Sequence, residues 1–583
     1  MNRQSIVILL SVFCSMLTFP QSFEQKVEAK FDQPNNIRQY LCKVASDITH
    51  NSLNDIKNLE DWEAVREERH QQFLEMLGLQ GKPFEGKRPP LNVTKTGSIQ
   101  KKGYRIEKLY YESLPGLYVP ANLYIPNGIK KPLPAILYVS GHAHSQKYNY
   151  QAHAKNFAEN GFVCLIIETI QRGEVEGEHL GQESNGWFHW YSRGYNPAGV
   201  EVWNGIRGLD LLSQMPEVDK NNLGVTGISG GGSQSWYLPA ADSRIKAAAA
   251  VAGASSLEGQ IVQKTIDDHC DCMMPINTYG IDFSDIGALI APRPFMIAQP
   301  NRDLYYSIEA VHTLFHKTKP IYSFYGKPEN LIMKDASGGH SYGSKEELRP
   351  EILAFFLKEL KGKNISPDKL GEIDTSLELS EEALKAYVNG VPKDDRTKTI
   401  QDSFVELASP PEINTVEQLD SYKNEVKAFL MEKTFGAFPE KPASLDMRLD
   451  FISSSASGNE RKDYSFVSEE GWRLKLSLQS GQPTDNNQPL LLVLKNPNEE
   501  RYESAALVGG LRGKVIIAYF EASGSAMFTY AFAKGAQKGY LPEKYLEVAE
   551  KAYAGILDNL ISIEDNGVVN LNQVCGVAGL GGD

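Results

Sequence analysis

"GVTGISGGG", residues 224–232, sets five glycines around Ser229. Glycine at such density costs conformational entropy, so it marks a backbone that turns sharply or that something approaches closely. Two readings compete: a phosphate-cradling loop and a nucleophile elbow. A phosphate loop carries Lys-Ser or Lys-Thr after its glycines, and the following "GGGSQS" has no lysine. Gly227-Ile228-Ser229-Gly230-Gly231 instead fits G-x-S-x-G. It falls between the strand-like "NNLGVTGI" and a helical stretch, the junction that this motif requires. There, small neighbours let strand and helix pass close together and present the hydroxyl at the sheet's carboxyl edge. Taken alone, the pentapeptide is also compatible with a Gly-rich turn that has an ordinary N-cap serine.

Around this point the pattern alternates. "PAILYVSG", "GFVCLIIE", "NNLGVTGI", "IKAAAAVAG", "PRPFMIAQ" and "NLIMKD" read as strands. "HAKNFAEN", "VEVWNGIRGLDLLSQM", "SIEAVHTLFHK" and "KEELRPEILAFFLKEL" read as helices. Continuous apolar runs such as "AILYV" suit strands buried on both faces. The alternation predicts a mostly parallel sheet covered by helices on both sides.

The partners of a nucleophilic serine follow it in the order Ser, Asp/Glu, His in this architecture. "PNRDLYY" puts Asp303 after one strand, and "ASGGHSYG" puts His340 in a Gly-rich loop before the last helix. His340 would take the proton from Ser229, and Asp303 would fix its tautomer. Asp335, five residues before His340, is a rival acid. The oxyanion hole needs two backbone N–H groups. Gly230 should give one, and His142, in the "GHAHSQ" loop after "AILYVSG", the other, with Ala143 as alternate. The side chains of His142 and His144 either read the substrate or belong to an exposed loop.

Three further stretches carry chemistry-bearing residues. "DDHCDCMMP" (267–275) holds His269, two cysteines and three aspartates. Its ligands are too close together for a zinc site, and no second cluster answers them. The expectation is therefore no metal and no cofactor, with His269 lining a substrate pocket or simply packing a loop. "ETIQRGE" (Glu168–Glu174) reads as structural charge pairing. "GWFHWYSRGYNP" offers Trp187, Phe188, Trp190 and Tyr191, either to stack on sugar rings or to pack a lid.

With 583 residues the chain is too long for one core. Its net charge of −13 argues against a nucleic-acid surface. Arg3 followed by the mostly apolar Ile6–Phe19 reads as an export signal ending near residue 22, too short to span a membrane. Cys14 follows the bulky Phe13, which disfavours a lipoprotein anchor. No other run is long and apolar enough to span a bilayer. The cysteines do not look like a disulfide framework. The expected organisation is a signal peptide (1–22), a helical segment (23–90), a catalytic α/β domain (91–362), a linker (363–410), a partial second α/β domain (411–520) and a helical fragment (521–583). No internal repeat is evident.

The stretches "FLEMLGL", "YVPANLYIP", "VWNGIRGLDLL", "GVTGISGGGSQS", "DHCDCM", "APRPFMI" and "GGHSYG" together resemble bacterial acetyl-xylan-esterase-like α/β-hydrolases, over residues 25–360. Dienelactone hydrolases are more distantly similar. The resemblance implies the α/β-hydrolase fold and removal of acetyl or similar esters from plant polysaccharide by an exported enzyme. It carries Ser229, Asp303 and His340 onto the triad and His142 onto the oxyanion position. Glu168 departs from it, since an aspartate is expected there. Residues 411–520 resemble the partial second hydrolase-like half found in this group, without G-x-S-x-G. "EASGSAMFTYAFAKGAQKGYLPEKYLEVAEKAYAGILDNLI" and "NGVVNLNQVCGVAGLGG" resemble part of an unsaturated rhamnogalacturonyl hydrolase, an (α/α)6 barrel. The part of that family that carries its catalytic acid has no match. Two other functions stay open: a serine peptidase of the same fold, which usually has a larger preceding domain than these 90 residues, and a catalytically silent carbohydrate-binding protein.

Overall fold

A computed structural model describes residues 37–434 except 183 and 372, and beyond them residues 443–456, 458–469, 472–481, 490–495, 514–521, 561–563 and 569–571. The export signal and most of the expected C-terminal helical fragment lie outside the described residues. The chain divides into two compact units, the larger covering residues 42–436. No helix among the described residues is long and apolar enough to cross a membrane.

The larger unit is built on nine strands: β1 (Thr94–Gln100), β2 (Tyr104–Leu114), β3 (Leu117–Pro126), β4 (Leu133–Val139), β5 (Val163–Ile167), β6 (Val218–Ile228), β7 (Ile245–Val251), β8 (Phe295–Pro300) and β9 (Leu331–Ala336). Their order is β1-β2-β3-β5-β4-β6-β7-β8-β9. β1, β2, β3 and β5 pair antiparallel in turn, and every pairing from β5 through β4 to β9 is parallel. The fully apolar stretches of β4, β5 and β7 are buried, as two covered faces require. One face packs under helices Pro197–Gln214 and Gly230–Ala241 through Trp203, Leu209, Trp236 and Tyr237. The other packs under Gln151–Glu159 and Leu348–Lys361 through Phe157, Ile352 and Phe356.

Two flanking segments belong to this body. Helix Leu59–Met76 is capped by Asn58, whose side chain accepts from the Asp61 N–H, and it buries Trp62, Phe73 and Met76. Residues 363–410, expected to be a linker, are in part core. Ile400 and Phe404 join the first cluster and Leu384 the second, while Tyr387 is also buried. The polar composition hid this, because a few apolar side chains spaced among prolines and charges have no period to read.

The smaller unit contains a five-stranded sheet of β10 (Arg448–Ser454), β11 (Glu460–Glu469), β12 (Trp472–Ser480), β13 (Leu490–Lys495) and β14 (Ile516–Glu521), in the order β10-β11-β12-β14-β13. β10, β11, β12 and β14 pair antiparallel in turn, and β14 pairs parallel with β13. This repeats the order and senses of β1 to β5. The repeat exists in topology although no repeat is evident in sequence, since strand order depends on pairing rather than on residue identity. A short hairpin, β15 (Ile561–Ile563) with β16 (Val569–Leu571), completes the described strands.

Candidate active site

β6 ends at Ile228, and helix Gly230–Ala241 begins two residues later. Ser229 between them has φ 61° and ψ −122°, a conformation that L-residues rarely adopt. Its N–H donates to the Val251 carbonyl at 3.0 Å, and its carbonyl accepts from the Ser233 N–H at 2.9 Å, so both sides hold the turn. The surrounding glycines follow from contact. A Cβ at Gly227 would lie 2.2 Å from the Val139 carbonyl oxygen, and one at Gly231 would lie 2.1 Å from the same atom. Strand β6 and its helix thus cross the end of β4 closer than any side chain permits.

His340 Nδ1 lies 2.8 Å from Asp303 Oδ2. Asp303 is buried, and its other oxygen accepts from the N–H groups of Tyr305 (2.8 Å) and Tyr306 (3.1 Å). With both oxygens committed, the carboxylate can hold only one orientation. His340 Nε2 has no protein partner. His340 lines a cleft of about 520 Å³ together with Ser229, His142, Ala143 and His269. The rival Asp335 pairs across the sheet with Gln299 and turns its carboxylate to the exposed His312 at 3.2 Å.

Gly230 and His142 are adjacent: a Cβ on Gly230 would meet His142 Cε1 at 2.4 Å. His269 lines the cleft between Tyr305 and Tyr306, with neither ring nitrogen bonded. Burial pushes its pKa down to about 4, so it is neutral near pH 7. His144 is exposed on its loop. Trp187 packs on the buried Trp190, at 5.7 Å between ring centroids, and is not among the residues that line the cleft. Glu168, at the end of β5, is buried 3.0 Å from Lys147 and accepts from the Glu174 N–H at 2.7 Å. It is a structural charge pair, as its stretch suggested.

One sequence inference is overturned in its premise. The cysteines of residues 267–275 do have answering ligands: His142 and His179 lie against Cys270 and Cys272, all four ligand atoms within 4.8 Å of one another. His179 comes from the loop after β5, and no signal in its own surroundings, "EGEHLGQ", marks it. A hydrogen bond from Cys272, then those from His142 and His179, hold the pKa of Cys270 far below the ordinary thiol range, while burial raises that of Cys272.

Comparison with known proteins adds the fold. Residues 116–265 match the family described as X-Pro dipeptidyl-peptidase (S15 family), and residues 513–583 match Glycosyl Hydrolase Family 88. The chain is 22% identical to the proposed hydrolase YtaP of Bacillus subtilis (strain 168), over 51% of this chain and 100% of that protein. Among solved structures, Methylesterase BT1017 is similar with a TM-score of 0.50 and 20% identity, over 68% of this chain and 82% of that one. The large unit has the α/β-hydrolase fold. A proposed acetyl xylan esterase from Bacteroides fragilis NCTC 9343 is more distantly similar, at a TM-score of 0.39 and 16% identity over 54% of this chain and 82% of that one. The Family 88 match starts before β14 and so includes the last strand of the smaller sheet.

Proposed function

We propose that the large unit is a serine ester hydrolase that removes acetyl or similar ester groups from plant cell-wall polysaccharide, exported by its N-terminal signal. The observation that carries this reading is the shared cleft. Ser229 on its strained turn and His340, whose Nε2 has no protein partner, line the same space, while Asp303 holds the far side of the imidazole. His340 Nε2 accepts the Ser229 hydroxyl proton as the oxygen attacks the ester carbonyl. Asp303 keeps the Nδ1 proton in place and stabilises the imidazolium that forms. The backbone N–H groups of Gly230 and His142 receive the developing oxyanion. Collapse expels the sugar hydroxyl, which takes the proton from His340, and leaves an acyl group on Ser229. Water, deprotonated by His340, then releases the carboxylic acid and restores the serine.

The similarity to X-Pro dipeptidyl-peptidases supports a second reading, cleavage of peptide bonds. That match ends at residue 265, before Asp303 and His340, so it covers the nucleophile and neither partner. The names of the similar structures, a methylesterase and a proposed acetyl xylan esterase, agree with ester chemistry. Ser229→Ala should lose several orders of magnitude of turnover on acetylated or methyl-esterified glycans and all labelling by a fluorophosphonate probe. Normal ester hydrolysis by that variant sinks the assignment. Efficient cleavage of a Gly-Pro anilide, with no activity on any ester, would favour the peptidase.

A further inference from the structure

Four side chains from three loops converge beside the oxyanion position, where the proposed mechanism uses none of them. His142 follows β4, His179 lies in the loop after β5, and Cys270 and Cys272 flank one residue between β7 and β8. His142 Nε2 faces three partners at once: His179 Nε2 at 2.9 Å, Cys272 Sγ at 3.0 Å and Cys270 Sγ at 3.3 Å. An imidazole nitrogen has a single in-plane valence, either a proton or a lone pair. At most one of these approaches can be satisfied as an ordinary hydrogen bond. A cation among the four atoms satisfies all of them. In a tetrahedral zinc site with Zn–S near 2.3 Å and Zn–N near 2.0 Å, ligand atoms sit about 3.3–3.8 Å apart. The observed separations, from 2.9 Å to at most 4.8 Å, bracket that span.

We propose that His142, His179, Cys270 and Cys272 bind one zinc ion in a closed four-coordinate site that fastens the loops framing the cleft. Two sulfur and two nitrogen donors select a tetrahedral, borderline-soft ion over magnesium or calcium, which take oxygen ligands. Two thiolates and two neutral imidazoles cancel a double positive charge, which suits a place where His179 and Cys272 are buried. The ligand loops are braced from behind. Asp271, between the cysteines, accepts from the Gln182 N–H at 2.7 Å, which ties their turn to the His179 loop. The Asn196 amide donates to the carbonyls of Asp271 (3.1 Å) and Met274 (2.8 Å), and the Tyr237 hydroxyl donates to that of Met273 at 2.5 Å. Such outer contacts orient the ligands of metal sites. The ion would therefore fix the ring of His142, and with it the main chain beside Gly230. Metal binding stands apart from the ester-hydrolase reading; only this effect on the oxyanion hole rests on it.

Metal analysis of the full chain, prepared with zinc and a reductant and then dialysed, should find close to one zinc per chain. Cys272→Ser and His179→Ala should each lose it. Cobalt in place of zinc should give the strong visible absorption of a tetrahedral site with thiolate ligands, a readout independent of turnover. Stripping the ion with a chelator should lower the melting temperature, and zinc should restore it. Background zinc in the wild-type chain, another metal in its place, or a Cys270–Cys272 disulfide found by thiol titration would overturn the proposal. Should a ligand variant fail to fold, the wild-type metal content and the cobalt spectrum still decide. A chain that holds zinc but hydrolyses no ester would keep the metal site and refute the ester-hydrolase reading alone.

Discussion

The imidazole of His142 lies so close over Gly230 that a Cβ on the glycine would stand 2.4 Å from its Cε1. The two residues meant to supply the oxyanion donors are thus locked together by their own packing. Gly230→Ala must push the ring or the helix away. A displacement of about 1 Å at such a site costs on the order of 100-fold in rate. Expected is a fall in kcat of that size, with KM changing far less, measured on a soluble acetyl ester. An unchanged kcat would remove Gly230 and His142 from the oxyanion hole.

The two candidate acids should separate cleanly. Asp303 is buried against His340, whereas Asp335 faces the exposed His312. Asp303→Asn should cost about 10⁴-fold in kcat, by analogy with a triad that loses the correct imidazole tautomer. Asp335→Asn should stay within about twofold of the wild type, as a surface change does. Steady-state rates in the opposite order would move the acid to Asp335.

A different histidine should set part of the acid stability. His153 is buried between Tyr138 and Tyr342, with Tyr150 and Arg349 nearby, and its Nε2 has no partner. Burial, and then the charge of Arg349, hold its pKa well below the ordinary value. The unfolded chain therefore gains a proton as pH falls through about 6.5, and the folded chain does not. Stability conferred by the neutral ring is complete above that pH and is lost below it, by up to about 1.4 kcal/mol per pH unit. His153→Phe should flatten the fall in melting temperature between pH 7 and pH 5. Identical slopes for the two proteins would show that the ring takes up its proton while folded.

The helical N-terminal segment should prove inseparable from the body. A Cβ at Gly199 would sit 1.8 Å from the Leu77 carbonyl oxygen, a backbone atom that cannot rotate away. Alanine gains about 1 kcal/mol of helix propensity there. Overpacking against fixed backbone costs about 3 kcal/mol, so the clash wins. Denaturant unfolding of Gly199→Ala should show a net loss of about 2 kcal/mol.

Residues 521–583 should be dispensable for ester hydrolysis. Every group assigned to the chemistry lies between His142 and His340. Deleting residues 521–583 should leave kcat on an acetyl ester within about twofold of the wild type and improve solubility, and this chain should release no unsaturated galacturonic acid from rhamnogalacturonan oligosaccharides. Loss of esterase activity on truncation would make the fragment a structural part of the enzyme, and sugar release would give it an activity of its own.

The sequence determined what local pattern can carry. Buried strands show as unbroken apolar runs such as "AILYV", helices as stripes such as Val202, Ile206 and Leu209, and the turn at Ser229 as glycines that leave room for Val139. That was enough for the α/β sheet and for placing Asp303 after β8 and His340 after β9, because strand ends can be read from local pattern. Tertiary structure decided which strand-end loops meet. β4, β5 and the loop from β7 to β8 lie apart in sequence, and only the β5-β4-β6-β7 order brings His142, His179, Cys270 and Cys272 together. Loops carry no periodicity, so a ligand such as His179 leaves no mark in its own neighbourhood. The same holds for Ile400 and Phe404 in a polar stretch, and for a second sheet that repeats the first in strand order without repeating its residues. Local side-chain patterns fix elements and faces, whereas strand pairing fixes which ends are neighbours.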